Sequence, residues 1–331
     1  MKAIDLFAGI GGIRLGFEQA FGEDLETVFI SEIEPFARKT YKANFEDSFE
    51  ISGDITKINE KEVPPFDICL AGFPCQAFSH AGKTQGFDDN FKGVNRGVLF
   101  LEIVRLCEYH QPKVIFCENV KNLIAHDKGN TFKVIKEAFE SIGYDVFYQV
   151  LNSKDFGVPQ IRERVYIVAF RKDLGIKEFT FPIGNIKTCI KDVLEEAPIP
   201  SKYYISDHYL AFLRERKKRQ QAKGNNFGYC VNPLEGYANT LTRGGMGTER
   251  NYICDPRPHS MTPTTRIKGE INKEDIRKLT PREWARLQGF PDDFKFACSD
   301  TQMYKQFGNS VTVNVIKAIA EKIKEALAGC A

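Results

Sequence analysis

The stretch Lys2-Ala3-Ile4-Asp5-Leu6-Phe7-Ala8-Gly9-Ile10-Gly11-Gly12-Ile13-Arg14-Leu15-Gly16-Phe17 decides the fold. Lys2–Phe7 reads as a strand, the glycines as a turn, and the spaced apolar positions from Ile13 to Phe21 as a helix. The same alternation continues outward. Strands are expected at Thr27–Ser31, Phe66–Ala71, Lys113–Cys117, Asp145–Leu151 and Arg164–Phe170, with helices at Pro35–Asn44, Val98–Tyr109 and Thr131–Ser141. Strand and helix in turn predict an α/β fold, a parallel sheet covered by helices on both faces. Gly9-Ile10-Gly11-Gly12, Glu32, Pro74-Cys75 and Glu118-Asn119 all fall at or just past strand carboxyl ends. In open α/β sheets that edge is where ligands bind.

After Pro182 the rhythm changes. The region to about Lys273 is rich in Gly, Pro, Asn, Tyr and Thr, with short extended runs and one basic helix, as in a smaller irregular domain. A helical segment, Pro281-Arg282-Glu283-Trp284-Ala285-Arg286-Leu287-Gln288, follows, and an amphipathic helix at Val311–Leu327 is placed to pack back on the sheet. Trp284 and Leu287 read as core, and Arg282 as a phosphate or domain-bridging contact.

At 331 residues, 42% hydrophobic and 27% charged, the chain has ample material for a core. Its apolar runs are strand-sized, well short of the ~20 residues that span a bilayer. With no signal-peptide layout at Met1–Asp5, the cytoplasm is expected. Nine cysteines without a Cys-x-x-Cys pair, and no His at ligand spacing from one, do not suggest a zinc site. The net charge is only +2, but residues 201–270 hold twelve Lys/Arg against six Asp/Glu, leaving the remainder at −4. A polyanionic partner fits that imbalance. So does a solvated helix through Arg214-Glu215-Arg216-Lys217-Lys218-Arg219.

Three separated segments supply a reaction centre: Gly72-Phe73-Pro74-Cys75-Gln76, Phe116-Cys117-Glu118-Asn119-Val120 and Gln160-Ile161-Arg162-Glu163-Arg164. A thiol, a carboxyl and two guanidiniums suit covalent attack on an electron-poor heterocycle such as a nucleobase. Taken singly, Cys75 reads as a quiet thiol, Glu118 as a strand-end acid and the arginines as a charged edge. One mechanism needs them together. Cys69 and Cys117, inside apolar runs, read as inert core residues. Near the first turn, Gly9, Gly11 and Gly12 allow close backbone approach to a ligand. Glu32 is placed to bind paired ribose hydroxyls, and Asp54, followed by Ile55, to take an adenine amino group. Together they point to an adenosine-containing cofactor, and the spacing departs from the Gly-x-Gly-x-x-Gly of dinucleotide sites.

Asp5–Gly12, Gly72–Gln76, Glu118-Asn119-Val120, Gln160–Arg164, Arg282–Pro291 and Gly308-Asn309-Ser310-Val311 resemble the ordered motifs of the DNA (cytosine-5)-methyltransferases. The resemblance runs from Ala3 to the C-terminal helix. It implies a Rossmann-like S-adenosylmethionine-dependent methyltransferase domain at 1–182, completed by 302–331. A target-recognition domain at 183–275 and a hinge at 276–301 would complete the chain. By position, Cys75 resembles the family's nucleophile and Glu118 its acid, while Arg162 and Arg164 resemble the arginines that hold base and acid. Phe7, Gly9, Gly11, Gly12, Glu32, Ile33, Asp54, Ile55, Leu99, Asn309 and Val311 fall at cofactor positions. Ile33 departs from members that place an aromatic ring against the adenine.

The chemistry explains the residue types. Thiolate addition to carbon 6 of cytosine makes carbon 5 nucleophilic, and cysteine can leave again afterwards. A thiol near pKa ~8.5 needs help to ionise, and Glu118 must be protonated to neutralise ring nitrogen 3, as a desolvated carboxyl is. The base must leave the stack. A polar stretch from Gln76 to Gly93 is expected to close over it with Ser79 near the phosphate; a surface loop is the plainer alternative. Double-stranded DNA contacts are expected from Gln76, Ser79, Thr240, Arg243 and Arg282, with Thr240-Leu241-Thr242 resembling a recognition element. A cognate restriction endonuclease acting on the same site is the expected functional partner unless the enzyme is of the orphan type, and a monomer suffices. The rivals are a transfer-RNA cytosine-5 methyltransferase, a non-catalytic DNA-binding regulator and, weakly, a nicotinamide oxidoreductase.

Overall fold

The computed structural model describes residues 1–74, 99–225, 228–243, 249–257 and 271–330, and the backbone of 90–91, 94–95 and 259–260. The chain forms two compact units. One comprises Met1–Asn152, Glu163–Ile183 and Val313–Ala331, the other Ser153–Arg162 and Gly184–Thr312. Residues 276–312, expected as hinge and as part of the catalytic domain, fall within the second of these units.

The first unit is built on a six-stranded sheet: β1 Lys2–Leu6, β2 Glu26–Ser31, β3 Ile68–Ala71, β4 Val114–Val120, β5 Tyr144–Asn152 and β6 Glu163–Arg171, in the order β2-β1-β3-β4-β6-β5. Strands β2, β1, β3 and β4 are parallel neighbours. Being covered on both faces, β1, β3 and β4 are almost continuously buried, which is why their sequences read as unbroken apolar runs. The all-parallel expectation fails at β6, which runs antiparallel to both β4 and β5. The cause is connectivity. Only residues 153–162 join β5 to β6, without a crossover helix, and a parallel pairing needs one.

Period-two alternation sorts the sheet's side chains. Ile4, Leu6, Cys69, Ala71, Ile115, Cys117, Val165 and Ile167 share one core with α3 (Leu99–His110) and α4 (Asn130–Ser141). On the other face Phe17 of α1 (Gly12–Phe21) meets Phe116 edge-on at 5.1 Å. The last helix, Val313–Ala328, packs on α1 so closely that a Cβ at Gly16 would lie 2.6 Å from Ile316. Helix α2 (Pro35–Asn44) follows β2, its start capped by the Glu34 carboxylate on the Ala37 N–H. Cys69 and Cys117 are fully buried, and burial pushes both thiols well above their usual range.

The second unit is irregular, with α5 (Asp207–Ala222), α6 (Pro281–Leu287) and α7 (Asp300–Asn309) among two- and three-residue strand pairs. Trp284 and Leu287 are core, as expected. Arg277, fully buried, donates to Asp255 and to both oxygens of Glu283, each at 2.7 Å. Burial raises the pKa of Asp255, but hydrogen bonds from Arg257 and Arg277 outweigh it and hold it down at about 2. This ionic cluster ties the Tyr252–Cys254/Ile276–Lys278 ladder to α6.

Candidate active site

Each side chain of the site sits at the end of a strand that has already buried its apolar part. In β4 the ladder with β6 continues to Val120, opposite Arg164. Glu118 and Asn119, expected just past the strand, are therefore inside it. Glu118 pairs with Tyr166, so Arg164 lies diagonally across on the same face. The Arg164 guanidinium reaches the Glu118 carboxylate at 3.2 Å, both side chains nearly buried. Asn119 points the other way. Its amide donates to the Phe73 carbonyl at 3.2 Å, anchoring Gly72-Phe73-Pro74 beside β4. Ala71 faces Cys117 across the ladder, so the chain leaving β3 runs beside Glu118. Cys75, Gln76 and Ser79 lie outside the described residues, as does the stretch to Val98 apart from the backbone of 90–91 and 94–95.

The glycine turn and its neighbours assemble in the same unit. Phe7, Gly9 and Gly11 all have positive φ, at 55°, 57° and 84°. Left-handed backbone at Phe7 is uncommon for a bulky residue and signals a constrained turn. A Cβ at Gly11 would meet Phe45 at 2.3 Å, whereas one at Gly9 would meet nothing within 4 Å, so Gly9, unlike Gly11, fronts open space. Glu32 Oε2 accepts from the Gly9 N–H and Oε1 from the Glu34 N–H, both at 2.7 Å. Burial raises the Glu32 pKa more than these bonds lower it. Ser31 Oγ donates to the Gly53 carbonyl at 2.9 Å and fastens the 52–54 segment to the end of β2. Asp54 follows, capping the short turn Ile55–Lys57 through Thr56. Ile55 and Leu99 are buried in a core against which Phe7 packs, while Ile33 is left 65% exposed.

Sequence reasoning missed the support of this turn. Asp5, fully buried in β1, accepts from the Tyr41 hydroxyl at 3.1 Å, and Tyr41 accepts from Arg14 at 3.3 Å. Arg14 also pairs with Glu18 and, at 2.7 Å, with Asp47. The chain before the turn, the helix after it and α2 are thus joined behind Gly11. The available signal was one carboxylate in an otherwise apolar strand. Burial raises the Asp5 pKa to about 7, against the Tyr41 bond and the Arg14 charge. A folded pKa above the unfolded ~3.9 means the folded state holds the proton better. Asp5 therefore costs stability progressively as pH rises from about 4 to about 7. Asp5→Asn should flatten the fall of the thermal midpoint between pH 5 and pH 8; parallel curves for the two proteins would remove this assignment.

The second unit holds Arg162, Thr240, Arg243, Arg282, Asn309 and Val311. Arg162, expected with Arg164 to hold base and acid, is 3% exposed, with Nη1 donating to the Leu241 carbonyl at 2.9 Å and Nη2 to that of Ser310. A buried guanidinium must find acceptors, and here backbone supplies them. Thr240 donates its hydroxyl proton to the Ile161 carbonyl at 2.6 Å, and Arg243 is exposed. Asn309 is exposed and Val311 buried. Arg282 serves its own unit: it donates to the carbonyls of Pro291 and Phe294 and stacks 3.9 Å over Phe296. The basic helix α5 is partly neutralised, Arg214 by Glu274 at 2.6 Å, Arg216 by Glu249 at 2.9 Å and Arg219 by Glu215 at 3.3 Å. Asn226-Phe227, 244–248 and the stretch 261–270 with Arg266 lie outside the described residues.

The family model for C-5 cytosine-specific DNA methylases matches residues 1–325. The chain belongs to this family. Among curated relatives, the Type II methyltransferase M.HpaII of Haemophilus parainfluenzae is 50% identical over 330 residues, covering 98% of this chain and 89% of that protein. M.HhaI of Haemophilus parahaemolyticus is 39% identical, covering 99% and 95%. The solved Entamoeba histolytica methyltransferase EhMeth shares the fold, with a TM-score of 0.72 at 22% identity, covering 99% of this chain and 97% of that one. This methylase is thus a sequence-specific DNA cytosine-5 methyltransferase, and the transfer-RNA, regulatory and oxidoreductase readings are not favoured. Among the described residues, no helix is long and apolar enough to cross a membrane.

Proposed function

We propose that this methylase transfers a methyl group from S-adenosylmethionine to carbon 5 of a cytosine swung out of duplex DNA, through a covalent adduct with Cys75. The observation that carries the reading is the Arg164–Glu118 pair at the end of β4, beside the Gly72–Pro74 segment that leads to Cys75. The Cys75 thiolate adds to carbon 6, the electron pair moves toward ring nitrogen 3, and Glu118 supplies the proton there. Carbon 5 then takes the methyl group. Loss of the carbon 5 proton to a base, expulsion of the thiolate and return of the ring nitrogen 3 proton to Glu118 restore the neutral aromatic ring. Arg164 holds the Glu118 carboxyl in place, and Asn119 holds the backbone that presents the thiol.

The residues present fit S-adenosylmethionine. The Glu32 oxygens accept from the Gly9 and Glu34 N–H groups, and a carboxylate's four lone pairs leave capacity for a ribose hydroxyl. Gly9 leaves room for close approach, and exposed Ile33 offers an apolar cover for the adenine. When bound, the group supplies an electrophilic methyl on sulfonium. Gly11, Gly12, Phe7, Asp54, Ile55 and Leu99 complete the proposed contacts of the first unit; Asn309 and Val311 are proposed as cofactor positions on the family resemblance alone. Thr240 and Arg243 are proposed to face the duplex, Arg243 as the base or phosphate contact. The first unit is accordingly the catalytic domain and the second the target-recognition domain. Because the relatives are Type II methyltransferases, we place the protein in the cytoplasm beside a cognate restriction endonuclease.

Transfer of labelled methyl from S-adenosylmethionine to duplex DNA tests the reading, with transfer RNA alongside. Label in cytosine of duplex DNA is expected. Label in transfer RNA alone would overturn the substrate.

A further inference from the structure

The second unit contains a buried polar cluster that the chemistry above does not use. Residues 160–161 run parallel to 238–239. From that edge Gln160 Oε1 accepts from the Leu241 N–H at 2.9 Å, and Arg162 donates to the Leu241 carbonyl at 2.9 Å. Leu241 is thus held at both backbone groups by neighbouring side chains. On its other side Gln160 Nε2 donates to the Leu287 carbonyl at 2.9 Å and to Gln288 Oε1 at 3.1 Å. Gln288 Nε2 donates to the Phe307 carbonyl at 2.8 Å, and its Oε1 accepts from Thr312 at 3.0 Å. Thr312 meets Ser153 at 2.7 Å. Gln160 and Gln288 are fully buried. A Cβ at Gly308 would lie 2.5 Å from the Thr242 carbonyl, so the two backbones touch.

Apolar side chains would fill this volume equally well but would not fix one register. Directional amide bonds, each costly to leave unmade when buried, admit one arrangement. We propose that Gln160 and Gln288 are positioning residues for target discrimination, locking the Thr240–Arg243 stretch in register against the segment 308–312. They touch neither DNA nor cofactor and act through the backbone of Leu241 and of Phe307. The proposal rests on reading Thr240–Arg243 as the duplex-facing element. Because 308–312 carries Asn309 and Val311, the same lock sets the geometry of those proposed cofactor positions.

The test is kcat/KM on the best duplex and on duplexes with one pair changed, for wild type, Gln160→Met, Gln288→Met and Arg243→Ala. The ratio between duplexes cancels any loss of folded protein, so a purely structural role leaves it alone. In both glutamine variants discrimination should fall at least about tenfold, within the ~5- to 150-fold range of site coupling, with KM for DNA rising more than kcat falls. S-adenosylmethionine binding to the DNA-free Gln288→Met protein, measured by calorimetry, should weaken as well. Should the methionine variants not fold, Thr312→Val, which removes one bond to Gln288, must move the ratio in the same direction. An unchanged ratio overturns the proposal. If Arg243→Ala then still weakens duplex binding, only the lock fails; if it does not, the reading of the element fails with it.

Discussion

Cys75→Ser should abolish methyl transfer, lowering the single-turnover rate at least about 10⁴-fold, in the range seen when a nucleophile is removed. A serine hydroxyl has almost the same size but is scarcely ionised near neutrality, so carbon 6 is not attacked and carbon 5 is never activated. Duplex binding, measured by gel retardation, should survive, since the exchange of sulfur for oxygen leaves the side chain's shape almost unchanged. A residual rate within tenfold of wild type would rule out the covalent route.

Glu118→Gln is expected to cost about 10² to 10⁴ in kcat, the usual range for a lost general acid. Glutamine keeps the shape and can donate a hydrogen bond to ring nitrogen 3, but it cannot deliver a proton. It also removes the charge that Arg164 meets at 3.2 Å. KM for duplex DNA should change little, because Glu118 engages only a base already out of the stack. A kcat within fivefold of wild type would take the acid role away from Glu118.

The sheet was largely legible in the sequence because burial on both faces leaves no alternative to apolar runs. Helix Pro35–Asn44 appears at its expected bounds, and Leu99–His110 and Asn130–Ser141 within one residue. The direction of β6 was not legible. A strand's composition says that it is buried, whereas its direction follows from how the chain returns, and residues 153–162 return without a crossover α-helix. The length of β4 was also underestimated. Glu118 and Asn119 look like loop residues locally, yet the ladder with β6 pays for their backbone hydrogen bonds as far as Val120.

The two arginines show the limit most clearly. Arg162 and Arg164, two residues apart, look equivalent in sequence. The fold gives one to the carbonyls of Leu241 and Ser310 and the other to Glu118. Asp5 likewise has no visible partner nearby, since Tyr41 is brought to it by the packing of α2. What the sequence alone determined was the family, the sheet and the residue types of the reaction, because periodic burial and reactive groups are properties of short segments. Which carboxylate is braced, which arginine is consumed in bracing and which glutamine holds Leu241 depended on tertiary structure, because a buried polar group takes its role from its partner, and the partner lies far away in the chain.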